Sequence, residues 1–147
     1  MAFRLFVPAF VLTVACGGPE EIEEVATAQS TGLKNYKGCR AEVPHNVKAI
    51  KTAEIIYDAE NDEYLEISAH PSAYPSGATA VAWGDNKGFK SLNWSPNGKV
   101  RGVYSVSATA RDFEVKGRID CDEDGVEAVY TATKSINPTM LTSNEVY

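Results

Sequence analysis

Asp112-Phe113-Glu114-Val115-Lys116-Gly117-Arg118-Ile119 alternates charged and apolar or small residues without a break. Successive side chains of a strand point to opposite faces, so this period of two predicts a strand. Phe113, Val115, Gly117 and Ile119 then pack, while Glu114, Lys116 and Arg118 meet water. The same period recurs on both sides. Upstream, residues 99–108 place Val100, Tyr104, Val106 and Ala108 on one face. Downstream, Val126, Ala128, Tyr130 and Ala132 do likewise, after a turn at Asp122-Glu123-Asp124-Gly125. Ser95-Pro96-Asn97-Gly98 supplies a further turn, with Pro and Gly where turn geometry wants them. A short strand over residues 78–83 brings the count to four. Strict alternation means one packed face and one wet face, the pattern of an antiparallel meander.

The period changes to the helical one nearer the N-terminus. Pro44 suits a first helical turn, where its missing N–H has no partner in any case. Val47, Ile50, Ala53, Ile56 and Tyr57 then recur at helical spacing, with Lys48, Lys51, Glu54 and Asp58 assigned to the opposite face. Asn61 tolerates the left-handed cap conformation and ends the segment, giving one helix over residues 44–60. Residues 66–90 hold Pro71, Pro75, Gly77, Gly84 and Gly88 and read as a long loop. The expected fold class is α+β: one N-terminal amphipathic helix packed on a four-stranded antiparallel β-meander, a complete two-layer domain.

With 147 residues the chain suffices for one domain of ordinary size. Its formal charge of −6 argues against nucleic acid and against a polybasic membrane patch. Residues 1–15, MAFRLFVPAFVLTVA, carry one basic residue and then an apolar run too short to span a bilayer, and read as a signal peptide. The following Leu12-Thr13-Val14-Ala15-Cys16 resembles the lipobox of bacterial lipoproteins, in which the cysteine is lipidated and becomes the new N-terminus. Thr13 departs from that pattern, where the family usually has Leu. Plain secretion is the alternative, since Thr13 and Ala15 are small enough for an ordinary signal peptidase. The resemblance implies lipidation at Cys16 and, with Gly17 and not Asp next, an outer-membrane lipoprotein; otherwise the protein is periplasmic or secreted. Residues 16–33 hold four glutamates and few large apolar residues, so they read as an acidic flexible tether, with some helix around residues 20–28 compatible with it. The globular domain is residues 34–147.

Assigning Cys16 to a lipid leaves Cys39 and Cys121, an even pair in an oxidising compartment. They are expected to bridge; the alternative is two buried free thiols.

The pieces in this order resemble the globular part of a type IV pilin, especially pilins of deltaproteobacteria. The residues that carry this are Asn46-Val47-Lys48-Ala49-Ile50-Lys51-Thr52-Ala53-Glu54, then Tyr57-Asp58-Ala59-Glu60-Asn61 and Tyr64. Gly88-Phe89 through Trp94-Ser95-Pro96-Asn97-Gly98 and the acidic hairpin over residues 120–125 extend the similarity, which spans about residues 44–133. The resemblance implies a pilin-like domain with a role beside a type IV pilus or secretion system. A pilin also has a long apolar N-terminal helix with a glutamate five residues into the mature chain; here a lipoprotein-type signal stands in its place. The filament-subunit role therefore does not carry over. What remains is a membrane-anchored interaction module with envelope or pilus proteins as partners, contacting them through loop 66–90 and the exposed sheet edge. The alternative is a small ligand-binding envelope lipoprotein that uses the domain as a scaffold.

Few residues invite chemistry. Asp120, Asp122, Asp124 and Gly125 form an Asp-x-Asp-x-Asp-Gly run, a weak calcium candidate because hard cations take alternating carboxylates on a tight turn. The EF-hand position twelve is Thr131, which cannot serve, and a solvated hairpin turn explains the same residues. His45 and His70 lie in different elements with no ligand at metal spacing. No serine sits in a nucleophile-elbow context, and phosphate-binding glycine signatures are missing. Trp83 and Trp94 read as core anchors. No catalytic residue is assigned, no enzyme is expected, and no cofactor apart from the calcium candidate.

Overall fold

The computed structural model describes residues 20–143, with side chains over residues 38–143. The signal peptide 1–15 and the lipidation site Cys16 lie outside the described residues. Among the described residues two helices and five strands follow in the order α1 (Glu20–Asn61), β1 (Ile67–His70), α2 (Lys87–Ser91), β2 (Val103–Ala108), β3 (Phe113–Ile119), β4 (Ala128–Thr133) and β5 (Thr139–Met140). The strands form one antiparallel sheet in chain order, and α1 lies across β3 and β4. The α+β meander is thus present, with five strands where four are expected.

β3 is the centre of this arrangement. Phe113, Val115, Gly117 and Ile119 are buried and the residues between them are half-buried, as the alternation requires. Gly117 stands opposite Tyr104 of β2 and Tyr130 of β4. Between two tyrosines its missing side chain leaves the space into which α1 settles. A Cβ there would lie 2.5 Å from Val43 Cγ1 and 2.6 Å from Val47 Cγ2, both fully buried. Gly117→Ala must push the helix off the sheet or force those valines out of their rotamers. It should destabilise by about 1 to 3 kcal/mol, read as a lower midpoint in urea unfolding at unchanged slope.

The helix differs from expectation in two respects. It begins at Glu20, so Pro44 sits in its interior and does not start it, and most of the segment that composition reads as a tether runs within α1. Pro44 withholds one N–H from the helical ladder. Its neighbours Cys39, Val43, Val47 and Ile50 are all buried against the sheet, and this packing carries the helix through. The buried stripe is also rotated. Lys51 and Glu54, expected on the wet face, are buried, whereas Ile56, expected in the core, is 54% exposed. Continuing the period from Cys39 and Val43 leads to Glu54 and not to Ile56. Lys51 is accommodated because its Nζ donates to Ile136 O (2.8 Å) and Asn137 Oδ1 (3.3 Å). The helix stops at Asn61 as expected, but the left-handed residue is the next one, Asp62 (φ 57°), whose N–H bonds Asp58 O.

Loop 66–90 is more structured than its prolines and glycines imply. It contains β1 and the start of α2, whose cap is Asn86: Oδ1 accepts the Phe89 N–H at 3.1 Å. The strand expected over 78–83 reduces to a single bridge between Val81 and Val100, with Gly77 and Gly84 at positive φ on either side. The strand expected from residue 99 begins only at Val103, because the N–H groups of Arg101 and Gly102 donate to a side chain, Glu42 Oε1 (2.8 and 2.9 Å). The segment that leads from Ser91 to Trp94 leaves α2 through a turn, with Trp94 N–H on Phe89 O (3.0 Å).

Candidate functional site

Four places brought forward by the sequence can be followed in the structure: the cysteine pair, loop 66–90, the acidic hairpin and the helix residues that resemble a pilin.

Cys39 on α1 and Cys121 just after β3 form a disulfide, with S–S 2.05 Å and Cα atoms 6.1 Å apart. Both are buried. The bond ties the helix to the hairpin that starts at Asp120. Within that hairpin one ligand atom from each of Asp120, Asp122 and Asp124 lies within 4.8 Å of the others. These carboxylates already serve the turn. Asp120 accepts the N–H groups of Glu123 (2.8 Å) and Gly125 (3.1 Å), Asp122 that of Asp124 (3.4 Å), and Asp124 that of Val126 (2.7 Å). Such local bonds are what make Asp a turn residue without any metal.

Loop 66–90 is fastened to the sheet along its length. Arg118 donates to Ala73 O while pairing with Glu127 at 3.0 Å. Ser76 N–H bonds Arg101 O (3.1 Å), and Ala78 N–H bonds Glu123 Oε1 (3.1 Å). Glycine suits position 77, where φ is +65° and a Cβ would lie 2.6 Å from the Glu123 side chain. Beneath the later part of the loop the aromatic side chains fill the space. Trp83 meets Trp94 edge-on (5.4 Å, 90°) and His70 edge-on (4.4 Å, 88°), and Phe89 and Tyr104 complete the cluster. Both tryptophans pack partly buried against the core, as expected, and His70 is a packed ring beside Trp83 O. His45 is exposed on α1.

A set of polar side chains gathers where α1 meets the sheet. Asn46 Nδ2 donates to Tyr104 OH (2.9 Å), which in turn donates to Glu42 Oε1 (3.2 Å). Burial and the Glu42 carboxylate push the Tyr104 phenol far above its ordinary range, so it stays a neutral donor. Tyr64 OH donates to Asp58 Oδ2 (2.8 Å), and Lys134 reaches the same oxygen at 3.4 Å. Glu54 was missed as anything but surface. It is fully buried, its Oε2 accepts the Leu65 N–H (3.0 Å), and its Oε1 has no partner. Desolvation, aided by Asp58, outweighs the Leu65 bond and raises its pKa from 4.5 to about 7.

Among the described residues, three of the open clefts adjoin these parts. One of about 360 Å³ lies between α1 and the Pro96 turn, with Glu42 and Asn46 in its lining. One of about 260 Å³ runs beside Ala53, Ile56 and Leu92. The third, about 210 Å³, lies at α2 beside Trp94. Exposed apolar side chains are Ile55 and Ile56 on α1, Tyr74 and Val81 on loop 66–90, and Val126, Ile136 and Leu141 on the hairpins around β4. The outer strands β1 and β5 have four and two residues, and short edges limit uncontrolled strand pairing. Among the described residues no helix is long and apolar enough to cross a membrane. Comparison with protein-family models, with curated proteins and with solved structures finds no match to this chain.

Proposed function

We propose that this chain is an exported, lipid-anchored interaction module with a pilin-like globular domain, accessory to a type IV pilus or secretion system and contacting envelope or pilus proteins. The observation that carries the reading is a single 42-residue helix laid across an antiparallel meander, with the acidic hairpin before the last long strand. At 1.5 Å per residue such a helix is about 60 Å long, twice the width of a small domain, so the sheet covers only part of it. The Cys39–Cys121 bond supports an oxidising compartment outside the cytoplasm. Partner contact falls to loop 66–90, which is pinned in one conformation and displays Tyr74 at 74% exposure, since a pre-ordered surface loses little entropy on binding.

The anchor is tested with the full-length chain in a bacterial envelope. Wild type should fractionate with the outer membrane, and Cys16→Ser should appear in the soluble periplasmic fraction or remain unprocessed. Identical fractionation of the two would overturn the anchor. Deleting the gene should alter pilus assembly, motility or adhesion; an unchanged phenotype in all three would overturn the accessory role.

A further inference from the structure

The face of α1 turned away from the sheet carries an apolar centre between ends of opposite charge. Val43, Val47, Ile50 and Glu54 are buried in the fold, so the opposite stripe runs through Lys48, Thr52, Ile55, Ile56 and Ala59, all exposed. Among the described residues of α1, Ile55 and Ile56 are the large apolar side chains left to water, at 39% and 54% exposure. Lys48 marks one end of this stripe, and Glu60, Asp62 and Glu63, all exposed, mark the other. Neither Lys48 nor Glu60 forms an ion pair with a described residue. Beside Ile56 opens the cleft of about 260 Å³, lined by Ala49 and Ala53 of α1 and by Leu92 just after α2.

We propose that this face pairs with the same face of a second copy, the two α1 helices running antiparallel about a two-fold axis near Ile55 and Ile56. A two-fold contact uses one patch twice, so the patch must complement itself when turned end over end. This one does. Antiparallel pairing brings Lys48 of each copy to Glu60 and Asp62 of the other and gathers the isoleucines at the centre, where Ile56 of each copy meets the other's cleft. Parallel pairing would set Lys48 against Lys48 and Glu60 against Glu60. Thr52 and Ala59 are small enough beside the isoleucines to let the two helices come close. An unrelated apolar partner would account for the isoleucines but not for the opposite charges that flank them. The contact takes about four turns of helix from each copy, which is less than a standard stable interface. The pair is therefore weak, with a dissociation constant on the order of 100 μM. Two copies held in one membrane would pair with their helices lying along its surface, since the Glu20 ends point opposite ways. The pairing itself rests on neither the lipid anchor nor the pilin-like reading.

A carbodiimide, which joins an amine to a carboxylate with no spacer, separates this arrangement from any other. Within one copy Lys48 and Glu60 are more than three turns apart on one helix, about 18 Å, too far for such a link; between antiparallel copies they meet. Treating the intact protein at about 200 μM in detergent should give a dimer whose peptides include Lys48 joined to Glu60 or Asp62. Sedimentation equilibrium from about 10 to about 500 μM should show monomer passing to dimer. Changing Ile55→Gln and Ile56→Gln together should weaken the pair at least tenfold at a nearly unchanged melting temperature, because both side chains are already exposed in the single copy. Lys48→Glu should weaken it about as much, and adding Glu60→Lys should recover most of the loss. A protein that stays monomeric throughout, a dimer without the Lys48 link, a dimer indifferent to the isoleucine changes, or a charge swap that recovers nothing would overturn the proposal.

Discussion

Reducing the Cys39–Cys121 bond, or replacing both cysteines by alanine, should lower the stability of the domain by about 4 to 5 kcal/mol. The two residues are 82 apart in sequence, so the bond closes most of the folded domain into one loop. Opening it returns that conformational freedom to the unfolded chain, and the loss scales with the logarithm of loop length. For a domain of this size the corresponding drop in melting temperature is roughly 20 °C. Scanning the protein with and without a thiol reductant checks this. Equal melting temperatures would mean that the bond contributes nothing to the fold. Because Cys121 opens the acidic hairpin, reduction should also free that hairpin first, visible as loss of amide protection at Glu123 and Gly125.

Glu54 should make the domain less stable as pH rises through neutrality, the reverse of ordinary acid denaturation. Its carboxyl titrates near 4.5 in the unfolded chain and about 7 in the fold, so between these values the folded state holds a proton that the unfolded state has lost. Stability from this residue is therefore full below pH 4.5, declines from there to pH 7, and stays low above. Between about pH 5 and about pH 8 the loss is on the order of 2 to 3 kcal/mol. The cause is the Oε1 atom, buried with no partner, which tolerates a neutral carboxyl better than a charged one facing Asp58. Glu54→Gln keeps an oxygen for the Leu65 N–H and removes the titration. Denaturant melts of the two proteins should diverge with rising pH, the variant gaining on wild type. Parallel curves would remove Glu54 as the source.

The sheet was the most legible part of the sequence. β2, β3 and β4 alternate over six or seven residues, and the residues that alternate inward, Tyr104, Val106, Phe113, Val115, Ile119, Ala128 and Ala132, are buried. β1 and β5 are too short for a period of two to register, and β1 sits directly before Pro71. The helix lies where the apolar spacing places it, but a start at Pro44 leaves out Cys39 and Val43, the buried residues that fix its phase. Without them the spacing puts Ile56 in the core and Glu54 on the surface, the inverse of their burial; with them the stripe runs 39, 43, 47, 50 and 54. Among site residues, the cysteine pair was legible from compartment and parity.

The continuity of α1 bears on how the protein carries load. A pull on the Glu20 end of the helix travels along hydrogen-bonded backbone until it meets the domain. The first described core residue it reaches is Cys39, and Cys39 is covalently joined to the sheet at Cys121. Tension therefore passes into the sheet through a covalent bond before it can peel Val43, Val47 or Ile50 from their packing. A domain strung in this way resists being drawn out from its N-terminal end and yields more readily to forces applied at β5, a strand of two residues at the sheet edge with no covalent tie to the helix.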